Sequence, residues 1–397
     1  LANRTPLFAL AAAAAALMAS PAAAQSAHLE HQFLRVGIVL RPPALAVELQ
    51  PVGTRCTLTA DGQLTLARAA TGQTVRILAD GARVVARMPS GAALHANHWL
   101  ALSPEANGLI AVRGRRYPGQ IRAYVRRGAI QLVAYIPLEA YVEGVARAET
   151  PAGWPPQAVA AQAVVARSFA LASIGRHARD GYDLCNVSHC QQFRGAEQID
   201  PATRRAVAAT RGWILTWHGR PALALFSSCC GGRTASPWPG AESIGLGYLR
   251  SVTDTISARP ACSASPYAHW STLITRAEML AVLKEAGWLG SAPPEIRVTA
   301  RDPSGRVSQI RAGSQTIPGS EFWIAAGRVL GRRRIRSPWF ALAPSGTGYA
   351  VSGRGYGHGL GLCQWGARAL ALEGMDWRAI LRRYYPGLHL ERLESGQ

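Results

Sequence analysis

The sequence predicts an α+β fold: a β-rich N-terminal region, then a mixed helix and strand catalytic domain with a glycine-rich loop near the C-terminus. Three observations carry that reading. From about Val36 to Ala134 the chain runs in short alternating stretches, such as Thr74-Val75-Arg76-Ile77-Leu78, separated by Gly and Asp, which is the pattern of strands. Between Pro137 and Arg179 the apolar period becomes helical. Beyond Asp180 strands and helices follow without strict alternation, which argues against a doubly wound sheet. At 397 residues, 48% of them hydrophobic, the chain is long enough for one large domain or two around a proper core, and it is not a disordered chain.

Taken in order, residues 1–24 read as an export signal. Arg4 supplies a positive start, Leu7 to Met18 an apolar run, and Pro21-Ala22-Ala23-Ala24 a small-residue cleavage site after Ala24. A membrane anchor is the alternative, but the run is shorter than the roughly 20 residues that cross a bilayer. The expectation is an exported protein of the periplasm or cell wall, with no transmembrane segment after signal cleavage. Residues 25–110 form the β-rich region and residues 111–388 the catalytic domain, with Arg83-Val84-Val85-Ala86-Arg87 and Ile121-Arg122-Ala123-Tyr124-Val125 further strands of the alternating run.

Two helices are expected between Pro137 and Arg179. Val159, Ala163, Ala166 and Ala170 recur at helical spacing, and Pro155 and Pro156 suit a first turn. A loop-rich stretch from Cys185 to Gly195 precedes a short helix at Pro201 to Ala209 and strands at Gly212 to Trp217 and Ala222 to Ser227. A helix at Arg276 to Gly287, a β-rich stretch from Glu295 to Ala312, the glycine-dense Gly353 to Gly361 and a last helix at Trp377 to Tyr385 follow, and 389–397 is a tail.

Charge narrows the partners. Forty-three basic residues against 23 acidic ones leave +20, which favours anionic partners. No RNA-binding aromatic signature and no finger spacing of Cys and His occurs, so nucleic acid is not an expected partner. Seven cysteines, an odd number, leave at least one outside any disulfide pairing.

Glu149 is the lead candidate for chemistry. Thr150-Pro151 ends its helix, and the negative end of the helix dipole disfavours an ionised Glu149, as suits a general acid. Glu139 and Glu143 share one helix face and are read as solvent-facing. Arg167, in an apolar helix from Gln157 to Ile174, is either a snorkelling edge residue or a cation for an acidic substrate group, and Gln162 carries the same ambiguity. Cys185, His189 and Cys190 bring three zinc-type ligands together, with a fourth required from elsewhere; a Cys185–Cys190 disulfide is the alternative. Vicinal Cys229-Cys230 lacks any hydrolase motif. The glycine loop lacks the frame of a phosphate loop, so its glycines serve close approach to a sugar or another loop. Tyr356 and His358 lie in it, and Tyr267 and His269 provide an aromatic and a cation at another turn.

In combination, these segments resemble a family. Pro137-Leu138-Glu139-Ala140-Tyr141, Ala148-Glu149-Thr150-Pro151, Ala161 to Ser168, Phe226-Ser227-Ser228 with Gly231-Gly232-Arg233-Thr234, Ser265-Pro266-Tyr267, and Gly353 to Gly359 through Gln364-Trp365-Gly366-Ala367 follow the order of the stage II sporulation protein D family, which includes amidase enhancers. Tyr384-Tyr385-Pro386-Gly387 resembles its closing motif. The resemblance covers roughly residues 110 to 388. It implies a peptidoglycan lytic transglycosylase acting on glycan strands stripped of stem peptides. The family's catalytic Glu falls on Glu149, its site Arg, Tyr and His on Arg167, Tyr267 and His358, and its metal-associated segment on Cys185, His189 and Cys190, which favours zinc over the disulfide. Catalysis then requires no cofactor, and zinc is structural. Peptidoglycan strands, and a cell-wall amidase, are the implied partners; a non-catalytic glycan-binding enhancer of such an amidase is the rival reading. Three departures from the family pattern occur: Thr150 where it has Met, Ser227-Ser228-Cys229-Cys230-Gly231 where it has Ser-Ser-Ser-Gly-Gly, and Cys363 where it has Ser.

Overall fold

Phe33–Ile38 pairs antiparallel with Ala129–Pro137 along its whole length, from Phe33↔Pro137 to Ile38↔Leu132. The first strand is thereby laid against the strand that feeds the first helix. The computed structural model describes residues 33–62, 65–237, 241–290 and 295–393. The expected export signal lies outside them, and no helix among the described residues is long and apolar enough to cross a membrane.

The chain divides into two compact units at Ile214/Leu215. The expected boundary near residue 110 falls inside the first of them, because pairing of Gln120–Arg126 with Leu100–Pro104 ties the two sides together. Among the described residues this unit holds a seven-stranded sheet ordered Leu184–Cys185, Phe33–Ile38, Ala129–Pro137, Gln120–Arg126, Leu100–Pro104, Cys56–Ala60 and Ala67–Ala69. A six-stranded sheet is ordered Arg115–Pro118, Leu109–Val112, Ala46–Val52, Val75–Asp80, Arg83–Arg87 and Ala93–Ala96. Alternation in the sequence becomes alternation in burial: Ala46–Val52 buries Val47, Leu49 and Pro51 and turns the residues between them outward.

The α-helices described in this unit are α1 (Leu138–Glu149), α2 (Pro156–Ala172) and α3 (Pro201–Ala209). Tyr141, Val142, Val145 and Ala146 give α1 one buried stripe. Helix α2 is buried continuously from Ala158 to Ala170, so it is a core helix with no solvated face over that stretch. Asp200 caps α3 by accepting from Thr203 N–H.

The second unit, Leu215–Glu391, packs Trp270, Ile274, Met279, Leu283, Ile310, Phe322, Phe340 and Val351 into a core. His269–Thr275, Gly348–Arg354 and Phe340–Ser345 form one antiparallel sheet, and Ile296–Arg301, Val307–Ala312 and Gln315–Pro318 another. Its helices are α4 (Arg276–Glu285), α5 (Gly319–Val329), α6 (Gln364–Leu372) and α7 (Trp377–Tyr384).

Helices α5 and α6 were not expected from the sequence. Gly319 and Gly327 lower the helix propensity of α5, and burial of Phe322, Ala325 and Ala326 overrides it. Helix α6 is capped by the Cys363 thiol, which accepts from Gly366 N–H, so none of the usual Ser, Thr, Asp or Asn start signals is present. The expected strand at Ala222 to Ser227 is broken: Arg220–Pro221 pairs back on Thr216 and Trp217, while Phe226–Ser227 runs parallel to Leu362–Cys363. Part of the expected tail is a strand, His389–Arg392.

Candidate active site

Glu149 is the last residue of α1. Thr150 leaves the helix in an extended conformation, as a residue before proline must, and its hydroxyl returns a 2.6 Å hydrogen bond to Ala146 O. The Glu149 side chain is half-buried, and its Oε1 accepts from the Gln192 backbone N–H at 2.9 Å. That bond fixes the carboxylate's direction from a loop 43 residues away in sequence.

The same loop is fastened to the helices at successive residues. Gln191 is buried and donates to Tyr141 Oη at 3.3 Å and to Ala166 O at 3.2 Å, so it bridges α1 and α2. Phe193 is buried against the Tyr141 ring at a centroid separation of 5.0 Å. A Cβ on Gly144 would collide with the Phe193 ring and the Gly195 carbonyl, so glycine is what lets the loop lie on α1.

Arg167 and Glu139 correct the sequence reading. Arg167 is fully buried, and its guanidinium is held by Glu139 through Nε (2.8 Å) and Nη2 (2.7 Å) and by Trp213 O through Nη1 (2.9 Å). Glu139 therefore faces a buried cation and not solvent. It also lies ten residues before Glu149 on α1, about 15 Å along the axis at 1.5 Å per residue, so the Arg167 guanidinium is seated at the other end of the helix from the candidate acid. Enclosed in this way, Arg167 cannot reach a substrate carboxylate; it joins α1 to α2. Gln162 is likewise enclosed, at 1% exposure, within the buried span of α2.

Upstream on the loop, four donors converge. His177, Cys185, His189 and Cys190 place one ligand atom each within 4.8 Å of all the others. Cys190 Sγ lies 3.4 Å from His177 Nε2, and His189 Nδ1 lies 3.7 Å from Cys185 Sγ and 3.8 Å from Cys190 Sγ. In a tetrahedral zinc site with Zn–S of 2.3 Å and Zn–N of 2.0–2.1 Å, S···N edges come to about 3.6 Å, so the donor set fits. His177 supplies the fourth donor that the sequence left unassigned. Its other ring nitrogen, Nδ1, faces Asp180 Oδ2 at 3.5 Å, the arrangement that orients a metal-binding imidazole. Contact with Cys190, His177 and His189 draws the Cys185 thiol far below its ordinary range, toward the thiolate that a metal requires.

The second unit carries the remaining candidates. Tyr267 and Tyr356 pack ring to ring at 4.7 Å, with the Arg336 guanidinium 5.6 Å from the Tyr267 ring. Exposed His269 lines an open groove of about 740 Å³ together with Trp339, Arg301 and Arg354. Aromatic faces beside guanidinium groups can stack on a sugar and attract a carboxylate.

His358 serves its own loop. Nδ1 accepts from Leu360 N–H at 3.0 Å, and the ring also hydrogen-bonds the Phe226 backbone. A Cβ on Gly359 would meet the Arg306 guanidinium, so the loop closes on that cation. Burial and then Arg306 press its pKa down to about 4. Its hydrogen bonds pin the glycine loop.

A stability prediction follows. Between pH about 4 and 6.5 the unfolded chain binds more protons at His358 than the folded one, so the contribution is complete above pH 6.5 and lost as pH falls toward 4. Replacing His358 with Gln flattens this acid limb in a series of denaturant melts. An unchanged limb contradicts the assignment.

A sequence profile described as Stage II sporulation protein matches residues 126–217, a span that holds Glu149, Arg167 and the whole His177 to Cys190 cluster. Stage II sporulation protein D of Bacillus subtilis is 28% identical over 289 residues, covering 68% of this chain and 79% of that protein. An uncharacterised protein of Brachyspira hyodysenteriae is 28% identical over 280 residues, covering 70% and 73%. The amidase enhancer of Bacillus subtilis is 24% identical over 304 residues, 63% of this chain but 40% of the enhancer.

Proposed function

Because this chain belongs to the stage II sporulation protein D family, we propose that it is a lytic transglycosylase of exported or wall-facing location that cleaves peptidoglycan glycan strands without consuming water. The observation that supports this most is the seating of Glu149: a half-buried carboxylate at a helix end, oriented by Gln192 N–H on a loop bound at several points to α1 and α2.

In this reading protonated Glu149 gives its proton to the glycosidic oxygen, and the bond from that oxygen to the muramyl C1 breaks. The resulting carboxylate then takes the proton of the same sugar's 6-hydroxyl as O6 bonds to C1. Glu149 ends protonated again, the leaving sugar has gained a hydroxyl, and the new end is a 1,6-anhydro ring. One carboxylate suffices because the 6-hydroxyl replaces water as nucleophile. Denuded strands carry a lactyl carboxylate on alternate sugars, to which a chain of net charge +20 is electrostatically suited.

His177, Cys185, His189 and Cys190 would hold a zinc ion with four protein donors, the number typical of a structural site. When bound it cross-links the loop, and Cys190, Gln191 and Gln192 carry that constraint to Glu149. Replacing Cys185 and Cys190 together with Ser is expected to lower the thermal midpoint of the first unit by at least about 5 °C. It also lowers kcat while KM holds, since the loop orients the acid and not the substrate. Melting and steady-state kinetics check this; an unchanged midpoint and kcat would contradict it.

A second reading has specific support in the match to the amidase enhancer. In it the chain binds glycan and stimulates a cell-wall amidase without cleaving strands itself. Purified protein incubated with denuded glycan separates the two, since only the first reading yields anhydro-ended fragments in the absence of an amidase.

A further inference from the structure

We propose that the second unit contains a separate buried zinc site formed by Cys230, Asp254, Cys262 and Cys363. Their ligand atoms all lie within 4.8 Å of one another, and each residue is fully buried. The proposal is independent of the glycan chemistry assigned to Glu149.

The spacing is that of metal ligands and not of a disulfide. Cys230 Sγ and Cys262 Sγ are 3.9 Å apart. A tetrahedral ion with Zn–S of 2.3 Å sets its sulfurs about 3.8 Å apart, whereas a disulfide needs about 2.05 Å. Asp254 Oδ2 lies 3.1 Å from Cys230 Sγ, near the S···O edge of about 3.5 Å that the same geometry gives. Mutual distances this short leave room for a single ion.

The surroundings are built for thiolates. Cys363 Sγ accepts from Cys230 N–H at 3.2 Å and from Gly366 N–H at 3.4 Å, and it caps the N-terminus of α6, where the dipole favours negative charge. Cys230 Sγ accepts from Gly232 N–H at 3.4 Å. Tyr384 donates to Asp254 Oδ1 at 2.7 Å, which turns Oδ2 toward the sulfurs and supplies the outer support usual for a ligating carboxylate. A carboxylate with three sulfurs around it, sealed from water, is costly without a cation at their centre. The nearby cation, Arg306, spends one Nη2 on the carbonyls of Cys230 and Arg233 and lays its guanidinium toward the Trp339 ring. Thiolate ligands with one carboxylate in a tetrahedral space point to zinc among divalent ions.

Such a site would tie three distant segments together: the turn after Phe226–Ser227, the stretch from Asp254 to Cys262, and the start of α6. It would also brace the glycine loop, because neighbouring Cys229 exchanges backbone hydrogen bonds with Tyr356 at 2.8 and 3.2 Å.

Zinc content of the purified full chain, measured by inductively coupled plasma mass spectrometry, tests the proposal. Wild type is expected to hold two ions per chain, Cys185→Ser/Cys190→Ser one, and Cys230→Ser/Cys363→Ser one. Cobalt(II) loaded into Cys185→Ser/Cys190→Ser is expected to show the sulfur-to-cobalt absorption of tetrahedral thiolate coordination, so the site is tested even where the second double variant does not fold. Asp254→Asn, which keeps the shape of the side chain, is expected to weaken cobalt binding in that background by at least tenfold. Zinc falling to zero in Cys185→Ser/Cys190→Ser, with no such cobalt band, overturns the proposal. So does a disulfide joining any two of Cys230, Cys262 and Cys363 in peptides mapped without reduction.

Discussion

Replacing Glu149 with Gln is expected to remove release of anhydro-ended fragments from denuded glycan, lowering the rate by about 10²–10⁴-fold, the range that a positioned general acid contributes. The amide has the shape to keep the Gln192 N–H bond to its carbonyl oxygen, so melting behaviour and zinc content stay those of wild type. What changes is the proton: an amide cannot give one to the glycosidic oxygen or recover one from the 6-hydroxyl. Rates followed by mass spectrometry of the products, beside a thermal melt of the same preparation, separate lost chemistry from lost structure. Full activity in the variant removes Glu149 from the mechanism.

The second large effect is on stability. Glu139→Gln leaves the Arg167 guanidinium, at 0% side-chain exposure, facing an amide in place of two carboxylate oxygens. Breaking a buried pair by removing one partner costs about 3–5 kcal/mol, and Glu139, itself 23% exposed, places this case toward the lower end. Denaturant unfolding of the first unit measures it. The double variant Arg167→Met with Glu139→Gln is expected to regain much of the loss, because no uncompensated charge stays inside. Kinetics add a check on the role of Arg167 as a positioning residue: active Arg167→Lys protein keeps its KM for denuded glycan, while a rise in KM with unchanged stability would return Arg167 to the substrate.

Sequence made the frame of the candidate site legible through its prolines. Pro137, Thr150-Pro151 and Pro155-Pro156 mark both ends of α1 and the start of α2 to within a residue or two, because proline restricts both its own backbone and that of the residue before it. Pairings across the fold were not legible. Nothing local tells that Glu139 will meet Arg167, 28 residues on, in place of solvent. His177 precedes the Cys185 to Cys190 segment and reaches it only because the turn at Ala178–Asp180 folds back, so spacing alone could not identify it as the fourth donor. The cluster around Cys230 draws its donors from three separate segments, so no local spacing of Cys and Asp in the sequence announces it. For α5 and α6 the local signal ran the wrong way, through glycines in one and a thiol cap in the other.

The most direct test of non-hydrolytic cleavage is the mass of the new ends produced by purified wild-type protein on denuded glycan in ¹⁸O-labelled water. Ends lighter than a reducing sugar by one water, and free of ¹⁸O, are the predicted result. Reducing ends that carry ¹⁸O, or strands left uncut, would contradict it.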